Sequence, residues 1–360
     1  MANHHSESHA QADDAHGEPV GLADPTDTKS NCGVGAVVDL DGGASHDVVA
    51  DGIELLCNLE HRGTTGAEEG TGDGAGIMIQ RPDAFFAAVV GDLPDTYAVG
   101  SVFMPQDETV RDRLIERFES TLADYDLEAF HWRDVPTDNS DLGQTALDSE
   151  PDVWQVFVTP SESMADDAFD RGLFLARRDL EAAAEEIDGA GRFYVCSLHR
   201  KTLVYKGLLK GEQLAGYYPD LEDERLQTTL TLVHARFSTN TLGAWHLAHP
   251  YRRIIHNGEI NTIRGNINWM RARESQLEHE DFGDDMETLK PVTEAGQSDT
   301  ASVDNAIELL MHSDRDLPHI LRMLIPEAHE NDDSMDPDRQ DFYDYHASLV
   351  EPWDGPALVA

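Results

Sequence analysis

The sequence predicts an α+β protein built in several layers. Strand-like apolar runs crowd both ends of a glycine-rich centre, and helical patterns are interspersed among them. No internal repeat is visible. Such an order is compatible with two stacked sheets flanked by helices, each element burying one face against the next layer. At 360 residues and 40% apolar, the chain can bury one large core or two medium ones.

The elements follow in order. Residues 1–31 mix His4, His5, His9 and His16 with Asp, Glu, Ser and Ala and carry no hydrophobic period, the composition of a disordered leader. Residues 33–39 read as a buried strand that ends in the turn Asp41-Gly42-Gly43, and 47–60 as an amphipathic helix closed by His61-Arg62-Gly63. Thr71-Gly72-Asp73-Gly74-Ala75-Gly76 is a glycine-rich turn into a strand at Ile77–Ile79. It lacks Gly-Lys-Ser/Thr and does not open a helix, so it is not read as a phosphate loop. From 97 to 198 the pattern gives strand 97–104, helix 107–124, strand 127–133, an acidic loop at 134–151 expected to be exposed, strand 153–158, helix 164–187 and strand 192–198. That βαββαβ order suggests a ferredoxin-like module set into the main domain. Strands are then expected at 202–205, 230–237 and 253–256, and helices at about 261–275 and 299–312. Leu317–Ile325 follows, ahead of a tail rich in Asp, Tyr and Trp.

Composition excludes several classes of function. Seventy acidic residues stand against 26 basic ones, a formal charge of -44. Such a surface repels nucleic acid and anionic membranes. It also repels itself, and concentrated salt would relieve that, so the acidity points to a salt-accumulating halophile rather than to the substrate. No apolar run reaches transmembrane length, and the first thirty residues lack the basic and apolar regions of a secretory signal, so a soluble cytoplasmic protein is expected. The three cysteines, Cys32, Cys57 and Cys196, have no CxxC spacing and make no disulfide framework. Cys57 and Cys196 sit in helix and strand patterns and read as core.

Four polar clusters could carry chemistry. Asn31-Cys32-Gly33-Val34-Gly35 puts a thiol at the head of a glycine-punctuated strand. A thiol with an ordinary pKa of about 8.5 needs a base. A spatially adjacent His is one solution. The other is the residue's own α-amine, whose pKa of about 7.7–8.0 suits general-base work but which is freed only by removing residues 1–31. Taken alone, Cys32 reads more readily as a buried strand cysteine. His234-Ala235-Arg236-Phe237-Ser238-Thr239-Asn240 ends an apolar strand in an arginine able to grip a carboxylate, or in a surface ion pair. His256-Asn257-Gly258 is a turn sequence whose Asn257 amide and Gly258 N–H could converge on an oxyanion, with His256 read as packing. Gln297-Ser298-Asp299-Thr300 opens a helix, where Ser298 and Asp299 cap it or Asp299 binds an ammonium group. Nucleophile, carboxylate clamp, oxyanion hole and ammonium acceptor together form a kit for holding an α-amino acid while its side-chain amide is attacked.

These motifs resemble a known family. Cys32-Gly33-Val34-Gly35, Leu59-Glu60-His61-Arg62-Gly63, Thr71–Gly76, His234–Asn240, His256–Asn261, Asn268–Glu274, Leu324–Ala328 and Glu351–Pro356 follow in the order seen in the glutamine amidotransferase (class II, N-terminal-nucleophile) domain of the glutamate synthase large subunit. The resemblance covers Cys32 to the C-terminus. It implies a four-layer αββα N-terminal-nucleophile hydrolase sandwich and removal of the leader, by self-cleavage, before Cys32. It implies Cys32 as nucleophile and, by its amine, base; Asn257 and Gly258 as oxyanion hole; Arg236 for the substrate carboxylate; Asp299 for its ammonium group. Thr239 is a further candidate contact and Arg62 a supporting residue. L-glutamine is the implied substrate, and its ammonia passes to 2-oxoglutarate on a synthase barrel carrying FMN and an iron–sulfur cluster. No cofactor is expected in this chain, because family members continue well past such a tail: the barrel is a separate chain or a missing remainder, and the last core elements of the domain are expected beyond Ala360. A stand-alone glutaminase, another class II amidotransferase or a non-catalytic acidic subunit are the alternatives.

Overall fold

The computed structural model describes residues 33–59, 68, 70–236, 243–294, 296–313, 315–332, 334–355 and 357–360. The first elements are β1 (Gly33–Val38), α1 (His46–Asn58), β2 (Ala75–Gln80), α2 (Asp83–Val89), β3 (Ala98–Met104), α3 (Glu108–Asp124) and β4 (Leu127–Asp134). Then come α4 (Gln144–Ser149), β5 (Asp152–Pro160), α5 (Asp166–Ala184), β6 (Tyr194–His199), β7 (Thr202–Gly207), α6 (Leu214–Tyr217) and β8 (Leu230–Ala235). The chain closes with β9 (His256–Gly258), α7 (Ile263–Glu274), α8 (Asp299–Leu310), α9 (Leu317–Leu324), α10 (Pro337–Ala347) and β10 (Ala357–Val359).

The mixed architecture agrees with the α+β expectation. Strands β1-β8-β2-β7 form one antiparallel sheet and β4-β5-β3-β6 another, with β10-β9 as a short ribbon. Period-two alternation sends Ile77, Ile79, Leu203, Tyr205 and Val233 of the first sheet into the same core as Val99, Phe103, Val153, Phe157 and Cys196 of the second, together with Val49 and Leu56 of α1. The opposite face of the second sheet packs Val102, Val156 and Val195 against Leu114 and Phe118 of α3 and Phe169 and Leu173 of α5. A further core joins α7, α8 and α9 through Met270, Val303, Ile307, Ile320 and Leu324, with Trp353. Cys196 lies in the first of these cores, where burial pushes its thiol up to about 11.

Three departures have physical reasons. The strand expected to reach 237 stops at Ala235, because Arg236 adopts a φ of +87°, outside the extended region. The strand expected at 253–256 is instead β9, beginning at His256: the Arg252 and Arg253 N–H groups are taken by the Asp304 carboxylate, and main-chain pairing with the C-terminal end begins only at Ile255, which exchanges two bonds with Ala360. The 134–151 segment is not simply exposed. Val135 and Ala146 join the main core, the Trp245 Nε1–H donates to the Ala146 carbonyl (3.1 Å), and Glu150 is buried, accepting from Tyr217 Oη–H (2.9 Å) and Asn139 Nδ2–H (2.9 Å).

Candidate active site

Strand register builds one end of the first sheet into a meeting point. Gly33, the residue after Cys32, pairs with Ala235, the residue before Arg236. On its other side Ala235 pairs with Ala75, the residue after Gly74. Arg236 turns out of β8 at its positive φ, and its N–H donates to the Gly74 carbonyl at 2.7 Å. Its Nε stands 4.0 Å from Asp73 Oδ2, with the side chain 31% exposed. A non-glycine residue at positive φ costs about 1–3 kcal/mol and persists where its surroundings over-determine it. Here the Gly74 bond does so.

The Asn257-Gly258 turn reaches this end by a second route. His234, two residues before Arg236, is fully buried, and its Nε2–H donates to the His256 carbonyl at 2.9 Å. β9 also lies against β1. Gly258 has φ +145°, which side-chain-bearing residues rarely adopt, so Gly is required there. Asn257 and Gly258 are both half-buried, open on one side.

Helix α8 grips this segment along its length. The Ser298 hydroxyl caps the helix by accepting the Ala301 N–H (3.1 Å) and lies 2.7 Å from the Tyr251 hydroxyl. Asp304 accepts the N–H groups of Arg252 (3.2 Å) and Arg253 (2.9 Å). Thr300 Oγ1 lies 3.0 Å from His256 Nδ1. Asp299 accepts the Ile260 N–H at 3.3 Å on one oxygen and the Thr300 N–H at 2.7 Å on the other. The capping role expected at this helix start falls to Ser298, and the Asp299 carboxylate stands half-buried beside the turn that follows Gly258. The 351–355 tail clasps the far side. Asn261 N–H donates to the Asp354 carbonyl (2.8 Å), and a Cβ on Gly355 would stand 1.8 Å from the Glu259 carbonyl oxygen.

Burial keeps the imidazoles here neutral. It lowers His256, against the opposing charge of Asp299, which agrees with a packing role for that residue. It holds His234 down to about 4 and His249 well below the usual range. The structure thus brings Arg236, Asn257, Gly258 and Asp299 to one region through named bonds. Cys32, Arg62 and Thr239 lie outside the described residues. Sequence reasoning missed two contributors. Asp73 was visible only as the acid inside a glycine-rich turn. His234 was visible only as a polar residue in an otherwise apolar strand. Among the described residues no group of three or more His, Cys, Asp or Glu side chains could hold a metal ion. Among them also, no helix is long and apolar enough to cross a membrane.

A strand end with an arginine, an Asn-Gly turn and an acidic helix start thus lie at one end of the first sheet. The chain belongs to the class-II glutamine amidotransferases, whose family model matches residues 32–360. It is 41% identical over 347 residues to the glutamate synthase [NADPH] large chain of Bacillus subtilis, a match covering 94% of this chain and 23% of that protein. It is 40% identical over 356 residues to glutamate synthase [NADH] of Saccharomyces cerevisiae, covering 94% and 16%. It is 39% identical over 341 residues to ferredoxin-dependent glutamate synthase of Antithamnion sp., covering 91% and 22%. The chain thus spans less than a quarter of the length of these relatives.

Proposed function

We propose that this chain is the glutamine-hydrolysing part of a glutamate synthase, with residues 1–31 removed so that Cys32 becomes the first residue. The Cys32 thiolate attacks the δ-carbonyl carbon of L-glutamine, its proton passing to the Cys32 α-amine. The Asn257 amide and the Gly258 N–H receive the oxyanion of the tetrahedral intermediate, stabilising charge that exists only there. The intermediate collapses as the amine returns the proton to the leaving nitrogen, releasing ammonia and leaving a glutamyl thioester. Water then adds to the thioester and gives glutamate and the free thiol. Arg236 holds the substrate α-carboxylate and Asp299 its ammonium group, while Thr239 is a further contact and Arg62 supports the site. The observation that carries this reading is the register that sets Ala235 between Gly33 and Ala75, so that the chain next to three motifs converges.

The same reading extends to the fold and the partners. The shared core between the two sheets supports a four-layer αββα sandwich. The order β4-β5-β3-β6, with α3 and α5 on one face, supports a ferredoxin-like unit over about 97–198 that supplies a β layer and an α layer of that sandwich. The ammonia is used on a cytoplasmic synthase barrel, where FMN and an iron–sulfur cluster belong. The test is intact-mass analysis of active protein together with a glutaminase assay. Mature protein beginning at Cys32, and no hydrolysis by Cys32→Ala, are expected. Active protein that retains residues 1–31 would sink the N-terminal-nucleophile mechanism.

A further inference from the structure

We propose that His234 is a positioning residue for the oxyanion turn: by donating its Nε2 proton to the His256 carbonyl, it sets Asn257 and Gly258 at the height of the strand end that carries Arg236. The proposal rests on the oxyanion role given to those two residues above.

β9 is three residues long and its ladder partner β10 is equally short, so main-chain pairing alone holds it weakly. Two side chains tie its first residue to larger elements. Thr300 reaches His256 from α8, and His234 reaches it from β8 in the middle of the first sheet. The second tie bears on catalysis, because β8 is the strand that delivers Arg236. A shift of the His256 carbonyl relative to β8 would change the distance between the carboxylate clamp and the oxyanion donors. Those two points must match one substrate.

His234 is built to hold a single geometry. Its acceptor is a carbonyl, so the bonded nitrogen must carry the hydrogen, which fixes the neutral tautomer. The His249 ring lies flat on it, with centroids 3.9 Å apart and planes 13° from parallel. The edge of Tyr251 closes on His249 at 4.7 Å, and the Tyr251 hydroxyl meets Ser298 at the α8 cap. The stack therefore links His234 to the same helix start that carries Asp299. The titratable groups around it are His249 and His256, with Lys206 near His249 and Asp299 near His256. Among the described residues the His234 Nδ1 and both His249 nitrogens have no partner, and burial already keeps His234 neutral. The bond is accordingly unchanged across the neutral range.

The test compares His234→Leu, His234→Gln, His234→Asn and Asn257→Ala in steady-state glutamine hydrolysis. Rates are normalised to active sites counted with a diazoketone analogue of glutamine that alkylates the nucleophilic cysteine. Misplacement on the ångström scale costs on the order of 10²-fold, so His234→Leu is expected to lower kcat about 10–100-fold while KM moves less than about threefold. His234→Gln, whose amide nitrogen reaches the Nε2 position, should recover kcat to within about fivefold and keep the parent's pH profile. His234→Asn is shorter and ends near Nδ1. It should stay impaired, and it serves in place of the Leu variant if that does not fold. A parent-like kcat per active site in the Leu and Asn variants would overturn the proposal, as would equal losses in the Gln and Asn variants. If Asn257→Ala itself leaves kcat intact, the oxyanion assignment fails first and the role of His234 falls with it.

Discussion

Arg236 joins a strained backbone to an open charge. Its φ of +87° and the bond from its N–H to Gly74 fix where the side chain starts, and Asp73 lies 4.0 Å from its Nε. Because a planar guanidinium can grip a carboxylate through two parallel bonds and an ammonium cannot, Arg236→Lys is expected to raise KM for glutamine about 10–100-fold with kcat changed little. Steady-state kinetics check it. Asn257→Ala should do the opposite, lowering kcat by about 10²–10³ with a small effect on KM, since its donor acts on charge present only in the intermediate. Asp299→Ala should resemble the arginine variant, and equal effects on both constants would contradict this division of roles. Residue types made these positions legible in the sequence: an arginine after an apolar strand, an Asn-Gly pair, an acid at a helix start. What the sequence could not show was long-range geometry. No local pattern reveals that Arg236 leaves its strand at positive φ, or that a histidine inside that strand reaches a carbonyl 22 residues later.

At the scale of elements, the site depends on how α8 is clasped between the 251–260 segment and α5. Glu308 on α8 pairs with Arg177 of α5 and with Arg253 (3.3 Å), while Glu181 of α5 holds Arg252 at 2.7 Å. Burial alone would push the Glu308 carboxyl up, but Arg177, Arg253 and Arg252 outweigh it and hold it down to about 2. A carboxyl held below its unfolded value stabilises the fold above that value and loses the contribution as pH falls towards the folded one. This group is therefore worth on the order of 3 kcal/mol above about pH 4.5, a contribution lost as the pH falls to about 2. Glu308→Gln is expected to flatten the loss of stability in that window, which denaturant melts at several pH values measure. Asp304 is pushed up by burial and by the Glu308 charge, yet it accepts two main-chain N–H groups of the loop that leads to Asn257. Asp304→Ala leaves those two buried donors unpaired and should cost about 2–5 kcal/mol in thermal or urea unfolding. The longer elements were legible because burial imposes a period on sequence: α3 and β5 lie within two residues of expectation at each end. α2 spans seven residues and α4 six. α10 buries only Tyr343 and His346 in eleven residues. Such elements have too few buried positions to print a period, and their existence is decided by packing.

Across the described residues, burial withdraws acids and bases in equal number, Glu150, Asp220, Asp304 and Glu308 against Arg177, Arg178, Lys206 and Arg252, so the acidic excess stays at the surface. Of the basic residues, Arg177, Arg178, Arg252, Arg253, Arg133 and Arg200 have side chains no more than 12% exposed, each spent on a carboxylate partner. Arg133 and Asp220, for instance, meet through two bonds of 2.7 Å that tie β4 to the segment before β8. Pairs of this kind are shielded from solvent ions, so added salt scarcely weakens them. The exposed carboxylates, in contrast, repel one another over a surface with few cations left to offset them, within a formal total of -44. The two populations respond differently to salt, which makes the net effect one-signed. Screening removes repulsion and leaves the internal pairs in place. Raising KCl from about 0.05 M to 1 M shortens the screening length from more than 10 Å to roughly 3 Å, after which further salt has little left to screen. If the relieved repulsion is about 4 kcal/mol, a chain of this size should gain about 5 °C in Tm, with most of the rise complete near 1 M. Sucrose at matched osmolality strengthens burial without screening and should give a smaller, linear gain. A Tm that does not move with KCl, or that moves equally with sucrose, would mean that the acidic surface carries no salt requirement and that the halophilic reading of the composition is wrong.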